Sequence, residues 1–149
     1  MEEALRLYPT IPNTSRESIR ETMVAGTRIP AGCEILVCPY ALNRHPKLWG
    51  PNAEEMVPER WIDTTEDGKR RSNKSGGASS NFAISTFIHG VRTCIGKDFA
   101  KAELRCAIVA TVANFAVELT GPPGEEPRMD GSVTTKPAGG LKLRLTKLG

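Results

Sequence analysis

At 149 residues, 39% of them hydrophobic, the chain has the size of one ordinary domain with one modest core. A formal net charge of +3 and an aromatic content of 5% leave no basic stripe interleaved with stacking rings, which excludes a nucleic-acid groove. Cys33, Cys38, Cys94 and Cys106 form no paired Cys-x-x-Cys knuckles, which argues against a zinc site and a disulfide framework, and the most apolar run, Ala107 to Leu119, is interrupted by Thr111, Asn114 and Glu118 well short of the ~20 residues a membrane span needs.

In chain order, Met1 to Tyr8 reads as the last turns of a helix: Leu5 and Leu7 lie among good helix formers and Pro9 forbids continuation. From Ser18 to Leu42 the pattern changes to strands and tight turns, with Ala25-Gly26 and Ala31-Gly32 as turn signals and Ile35-Leu36-Val37 as an apolar run, which predicts a small β-sheet. Asn43 to Trp61 carries Pro46, Pro51 and Pro58 and predicts an irregular path with short helical turns. Asp63 to Ser80, rich in Gly, Ser and Lys/Arg, reads as a surface loop whose basic cluster Lys69, Arg70, Arg71 and Lys74 is solvated. One long helix is expected from about Gly96 to Leu119. Ile95, Phe99, Ala102, Cys106, Val109, Ala113 and Ala116 recur at steps of four and three, and the second half is apolar almost all round, as in a buried helix that ends at Gly121-Pro122-Pro123. Leu141, Leu143 and Leu145 alternate with Lys142, Arg144 and Thr146, which predicts a half-buried final strand.

The stretch that carries chemistry is Phe87-Ile88-His89-Gly90-Val91-Arg92-Thr93-Cys94-Ile95-Gly96, just ahead of the long helix. A cysteine at a helix start feels the positive end of the macrodipole, which favours the anionic sulfur of a soft axial ligand. Gly90 and Gly96 let a backbone turn sharply and approach a flat cofactor, Phe87 can shield the sulfur from water, and Arg92 offers a permanent cation to a carboxylate. Cys33, Cys38 and Cys106 read as ordinary buried cysteines.

These residues fill every fixed position of Phe-x-x-Gly-x-Arg-x-Cys-x-Gly, so the chain resembles the cytochrome P-450 superfamily, of the eukaryotic microsomal and fungal type. Two further segments extend the resemblance over most of the chain. Glu3-Ala4-Leu5-Arg6 is similar to the family's Glu-x-x-Arg helix, and Pro58-Glu59-Arg60-Trp61 to its Pro-Glu-Arg-aromatic segment. Glu3 and Arg6 at i, i+3 share a helix face and can pair, and the resemblance implies that Arg60 joins them in a buried three-member network. By the same resemblance Arg16 reaches a haem propionate, Thr10, Ile11 and Asn13 lie at the turn that meets substrate, and Gly131 to Thr135 is a second turn entering the pocket. Val91 stands where many members have Pro and Met56 where they have Phe.

The resemblance implies a mainly α fold with small β-sheets, residues 1–149 being the C-terminal haem-binding third of one larger domain whose N-terminal part, with the proton-delivery residues and any membrane anchor, is absent. It implies haem b as cofactor with Cys94 as iron ligand, O2 and a small hydrophobic organic substrate, monooxygenase activity in the full-length enzyme, and the cytosolic face of the endoplasmic reticulum membrane as location, with no anchor in this chain. The electron donor would be an NADPH-cytochrome P-450 reductase or similar protein, meeting Lys97, Lys101 and Arg105, which share one helix face at i, i+4 and i+8. The alternative is a truncated, catalytically incompetent haem-binding fragment or pseudogene product, and the isolated chain is expected to be inactive and molten.

Overall fold

The computed structural model describes residues 1–121, 128–131 and 133–149; Pro122, Pro123 and Ser132, which fall in two of the segments read above, lie outside them. The helix α1 (Glu2–Leu7) stops at buried Pro9. Strand β1 (Thr14–Glu17) pairs antiparallel with β4 (Glu34–Val37), and between them β2 (Thr22–Val24) and β3 (Thr27–Ile29) form a hairpin. Its two-residue turn has both central residues at positive φ, Ala25 at 49° and Gly26 at 82°, the type I′ geometry that matches strand twist. The predicted small sheet is therefore two separate ladders; it begins at Thr14, ahead of Ser18, and Pro39–Leu42, read with the strands, is helical. Short helices α2 (Pro39–Leu42) and α3 (Pro46–Trp49) each begin on a proline, whose missing N–H costs nothing at that position, and a 3-10 turn covers Pro58–Trp61.

Several expectations need correction. The region read as a surface loop contains a hairpin, β5 (Ile62–Thr64) paired with β6 (Arg70–Ser72). Its turn is closed by Thr65 N–H to Lys69 C=O (2.9 Å) and Gly68 N–H to Thr65 C=O (2.8 Å), with Gly68 at φ 76°. The long helix α4 runs Lys97–Asn114, not to Leu119. Phe115–Leu119 is strand β7, because Phe115, Val117 and Leu119 are good strand formers and find an antiparallel partner in β10 (Leu143–Lys147), Phe115 opposite Lys147 and Leu119 opposite Leu143. Last, α4 has no buried residue, and the strand expected to be half-buried is exposed along its whole length. Cys106, read as buried, is exposed on α4, and Cys33 and Cys38, read the same way, are only half-buried. With a short pair β8 (Met129–Asp130) and β9 (Lys136–Pro137), the composition is 27% helix and 24% strand, a mixed arrangement and not a mainly α one.

The core lies under α1 and the irregular segment. Trp49, Ala53, Trp61 and Ala83 form its apolar part, with the two indoles tilted at 6.1 Å between ring centroids. Beside them the fully buried side chains include Leu7, Glu3, Arg6 and Asn43, so the centre of this fold is as much polar as apolar. Gly76, at φ 59°, lies against the Trp61 ring so closely that a Cβ there would meet it at 2.9 Å.

Candidate functional site

Glu3 is the hub of the buried network. Its Oε2 accepts from Arg6 Nε (2.9 Å) and Trp61 Nε1 (2.8 Å), and its Oε1 accepts from Arg6 Nη2 (2.7 Å), Val57 N–H (3.1 Å) and Arg60 Nε (3.3 Å). Burial raises the carboxyl's pKa, but the bonds from Arg6, Trp61 and Val57, with the Arg6 charge, more than reverse this and bring it from 4.5 down to about 2. Arg6 uses all five of its N–H groups: two on Glu3, and the others on the carbonyls of Asn43, Ala53 and Glu55, while its guanidinium lies 4.9 Å from the Trp49 ring centroid. Arg60 spans from Glu3 to Trp49 C=O (3.2 Å) and Asn52, so α1 is tied to the whole irregular segment.

Asn43 carries the network toward the cysteine loop, a role that sequence reading missed. Its Nδ2 donates to Arg6 C=O (2.9 Å) and Thr86 Oγ1 (2.8 Å), its Oδ1 accepts Ser85 N–H (2.8 Å), and Thr86 Oγ1 in turn donates to Leu5 C=O (2.7 Å). Both of its amide N–H groups and its carbonyl oxygen are engaged inside the core. Only its place at the start of the proline-rich segment was visible in the sequence.

From this anchored point the chain runs through Phe87 into a tight loop. Ile88 takes φ 57°, unusual for a β-branched residue, and Gly90 takes φ 74° at the start of a 3-10 turn over Gly90–Arg92. The loop is closed back on itself by Cys94 N–H to Phe87 C=O (2.9 Å), Thr93 N–H to Gly90 C=O (3.0 Å) and the Thr93 hydroxyl to the carbonyls of Phe87 (3.2 Å) and Ile88 (3.0 Å). Thr93, a variable position of the motif, is thus a loop-closing residue. Cys94 sits one turn ahead of α4, its carbonyl accepting Lys97 N–H at 3.3 Å, and its side chain is exposed. Val91 and Ile95 on either side of it are fully exposed apolar side chains. Gly96 leaves room beside the sulfur, since a Cβ there would come no nearer than 4.0 Å to Cys94 Sγ.

This donor set fits haem. Among the described residues no three His, Cys, Asp or Glu side chains gather as they would around a bare ion. A single soft sulfur framed by bare apolar side chains suits an iron that brings its own equatorial nitrogens in a flat apolar ring. Arg92 is exposed at the end of the 3-10 turn. Arg16, on β1, is exposed and donates to Ser15 C=O (2.7 Å) and Thr14 Oγ1 (3.3 Å). Thr10, Ile11 and Asn13 lie exposed on the segment leaving α1, away from the buried network. The second turn does meet that segment: Thr135 N–H donates to Thr10 C=O (2.7 Å) and its hydroxyl to Pro9 C=O (3.1 Å).

The cationic face of α4 departs from expectation. Lys101 Nζ is 2.7 Å from Glu2 Oε2 and Arg105 Nη2 is 3.7 Å from Glu2 Oε1, so two of its three cations are drawn to α1 by one carboxylate that sequence reading passed over. A cavity of about 1150 Å³ lies between α1, the cysteine loop and this face, with Lys97, Asp98, Lys101 and Arg105 on one wall.

The family profile described as Cytochrome P450 matches residues 1–143. Among curated proteins, the chain is 40% identical over 144 residues to cytochrome P450 monooxygenase sphH of Aspergillus fumigatus, covering 97% of the chain and 25% of that relative. It is also 40% identical over 146 residues to cytochrome P450 monooxygenase ptmK of Penicillium ochrochloron, covering 98% of the chain and 28% of that relative. Among solved structures, that of a retinoic acid bound cyanobacterial CYP120A1 superposes with a TM-score of 0.80 at 28% identity, over 99% of the chain and 32% of that structure. The chain therefore spans roughly a quarter to a third of the proteins it matches.

Proposed function

Because the chain belongs to the cytochrome P450 family, we propose that it is the haem-binding part of a haem-thiolate monooxygenase in which Cys94 would supply the sulfur ligand to the iron of haem b. The observation that carries this reading is the loop itself: Cys94 is exposed at its end, its backbone is bonded to Phe87, and fully exposed Val91 and Ile95 flank it. Bound there, the haem supplies activation of dioxygen and insertion of one oxygen atom into an organic substrate, chemistry that belongs to the cofactor.

The chain's own contribution is position and electrostatics. Arg92 and Arg16 would neutralise the propionates, with Arg92 close in sequence to the ligand and Arg16 on the strand β1 that pairs with β4. Phe87, Gly90 and Gly96 would give the ring a close, dry approach to the sulfur. The Glu3, Arg6, Arg60 and Asn43 network fixes where the loop begins, and has a structural role. Thr10, Ile11 and Asn13 would face a small hydrophobic substrate, supported by their exposure and by the bonds that hold Thr135 against the same segment. Lys97 and Arg105, exposed near the loop, suit an acidic electron donor such as NADPH-cytochrome P-450 reductase, with the complete protein at the cytosolic face of the endoplasmic reticulum.

One observation favours a second reading for the chain by itself, a haem-binding fragment without turnover. A long helix whose second half is apolar and which has no buried residue needs covering, and the chain spans only a quarter of the length of its fungal relative. The test common to both is the optical spectrum of the haem-loaded, reduced, carbon-monoxide-bound protein. Thiolate ligation gives a strongly red-shifted carbonyl band; a band at the position of a neutral ligand would reject thiolate ligation by Cys94.

A further inference from the structure

Lys101 stands where three segments meet. Its Nζ is 2.7 Å from Glu2 Oε2 on α1 and lies over the Phe87 ring at 5.9 Å from the centroid. Both members of the ion pair are sheltered, Lys101 being 21% and Glu2 25% exposed, and Arg105 approaches the other Glu2 oxygen at 3.7 Å. Phe87 is also the residue whose carbonyl accepts the Cys94 N–H at 2.9 Å and the Thr93 hydroxyl at 3.2 Å. One residue thus receives the Lys101 charge on its ring and the Cys94 peptide on its backbone.

Resting on the reading of Cys94 as the iron ligand, we infer that Lys101 is a positioning residue for it: held by Glu2, the ammonium fixes the Phe87 ring and through Phe87 the peptide of Cys94. The adjacent glutamates of α1 then divide the work, Glu3 binding the irregular segment and Glu2 binding α4. A half-buried aromatic ring otherwise has freedom about its own axis and at its Cβ, and a cation placed on one side favours a single orientation. The ion pair matters because it limits where the long lysine stem can carry its charge, which an unpaired surface lysine would not.

The test is the rate at which the red-shifted carbonyl band disappears in mild urea, measured on the full-length haem-loaded protein. Lys101→Met keeps the stem and removes the charge, and should lose the band about two- to fivefold faster, the factor expected of one lost cation–ring contact at a partly exposed site. Glu2→Gln should act in the same direction, and Lys101→Arg should restore behaviour close to that of the unmodified protein. In a Phe87→Leu background, Lys101→Met should add nothing, because its route to Cys94 is gone. An unchanged rate in Lys101→Met, or the same acceleration with and without the Phe87 ring, overturns the inference and leaves a plain helix tether. If the unmodified protein has no red-shifted band at all, the haem-thiolate reading itself falls and takes this inference with it.

Discussion

Removing Arg6 and Arg60 singly and together probes whether the buried charges act as one unit. Arg6 is fully buried and its five N–H groups are all committed, so Arg6→Ala takes the closer of two cations from the Glu3 carboxylate and leaves the Asn43, Ala53 and Glu55 carbonyls short of a donor. A broken buried ion pair costs about 3–5 kcal/mol, and this site belongs at the upper end. Arg60 reaches Glu3 at a longer 3.3 Å and its side chain is 9% exposed, so Arg60→Ala should cost less, on the order of 1.5–3 kcal/mol for its charged hydrogen bonds. Both guanidiniums meet the same Glu3 Oε1. With Arg6 gone, Arg60 becomes the last cation on a buried anion, so the double variant should lose more than the sum, by roughly 0.5–3 kcal/mol. Urea denaturation of the full-length protein, the wild type and three variants side by side, gives the coupling. Additive losses would refute a shared network.

The same carboxylate makes stability pH-dependent. A folded pKa lowered from 4.5 to about 2 contributes about 3 kcal/mol above pH 4.5, lost progressively as pH falls toward 2, and Glu3→Gln should flatten the urea midpoint over that window. Gly76→Ala should cost about 2–4 kcal/mol, from a left-handed φ of 59° and from a Cβ 2.9 Å from the Trp61 ring, measurable as a fall in urea midpoint; an unchanged midpoint would contradict that packing. Ala25→Asn should raise stability by about 0.5–1 kcal/mol, since asparagine accepts the positive φ of 49° that alanine resists; a loss would argue against the type I′ turn. The isolated 149-residue chain should bind an apolar dye and unfold over a broad thermal range, because no residue of α4 is buried within it. A sharp cooperative transition would show that it needs no cover.

What could be read from the sequence followed from local chemistry. Pro9 ends α1, Ala25-Gly26 makes its turn, and the cysteine loop lies just ahead of a helix, because each depends on residues a few positions apart. The missed features depend on distant partners. Phe115 to Leu119 continues a helical apolar pattern and becomes a strand because residues 143–147 pair with it. The β5–β6 hairpin was hidden by its polarity, although Asp67-Gly68 is a turn signal, since neither strand has a buried face to show alternation beyond Ile62. Asn43 resembles any polar residue between short helices until Arg6 and Thr86 are placed beside it. Glu2 carried no signal of its own, because its bond to Lys101 spans 99 positions. Glu3, Arg6 and Arg60 were named together only through family likeness; their geometry involves a tertiary contact between α1 and the 3-10 turn at Pro58–Trp61.

The most direct measurement compares two cysteine variants of the full-length haem-loaded protein by the spectrum of the reduced carbon-monoxide complex. Cys94 ends the tight loop beside bare Val91 and Ile95, whereas Cys106 is exposed within α4. Cys94→Ser should abolish the red-shifted carbonyl band and Cys106→Ser should leave it intact. A band that survives in Cys94→Ser would contradict the assignment of the iron ligand.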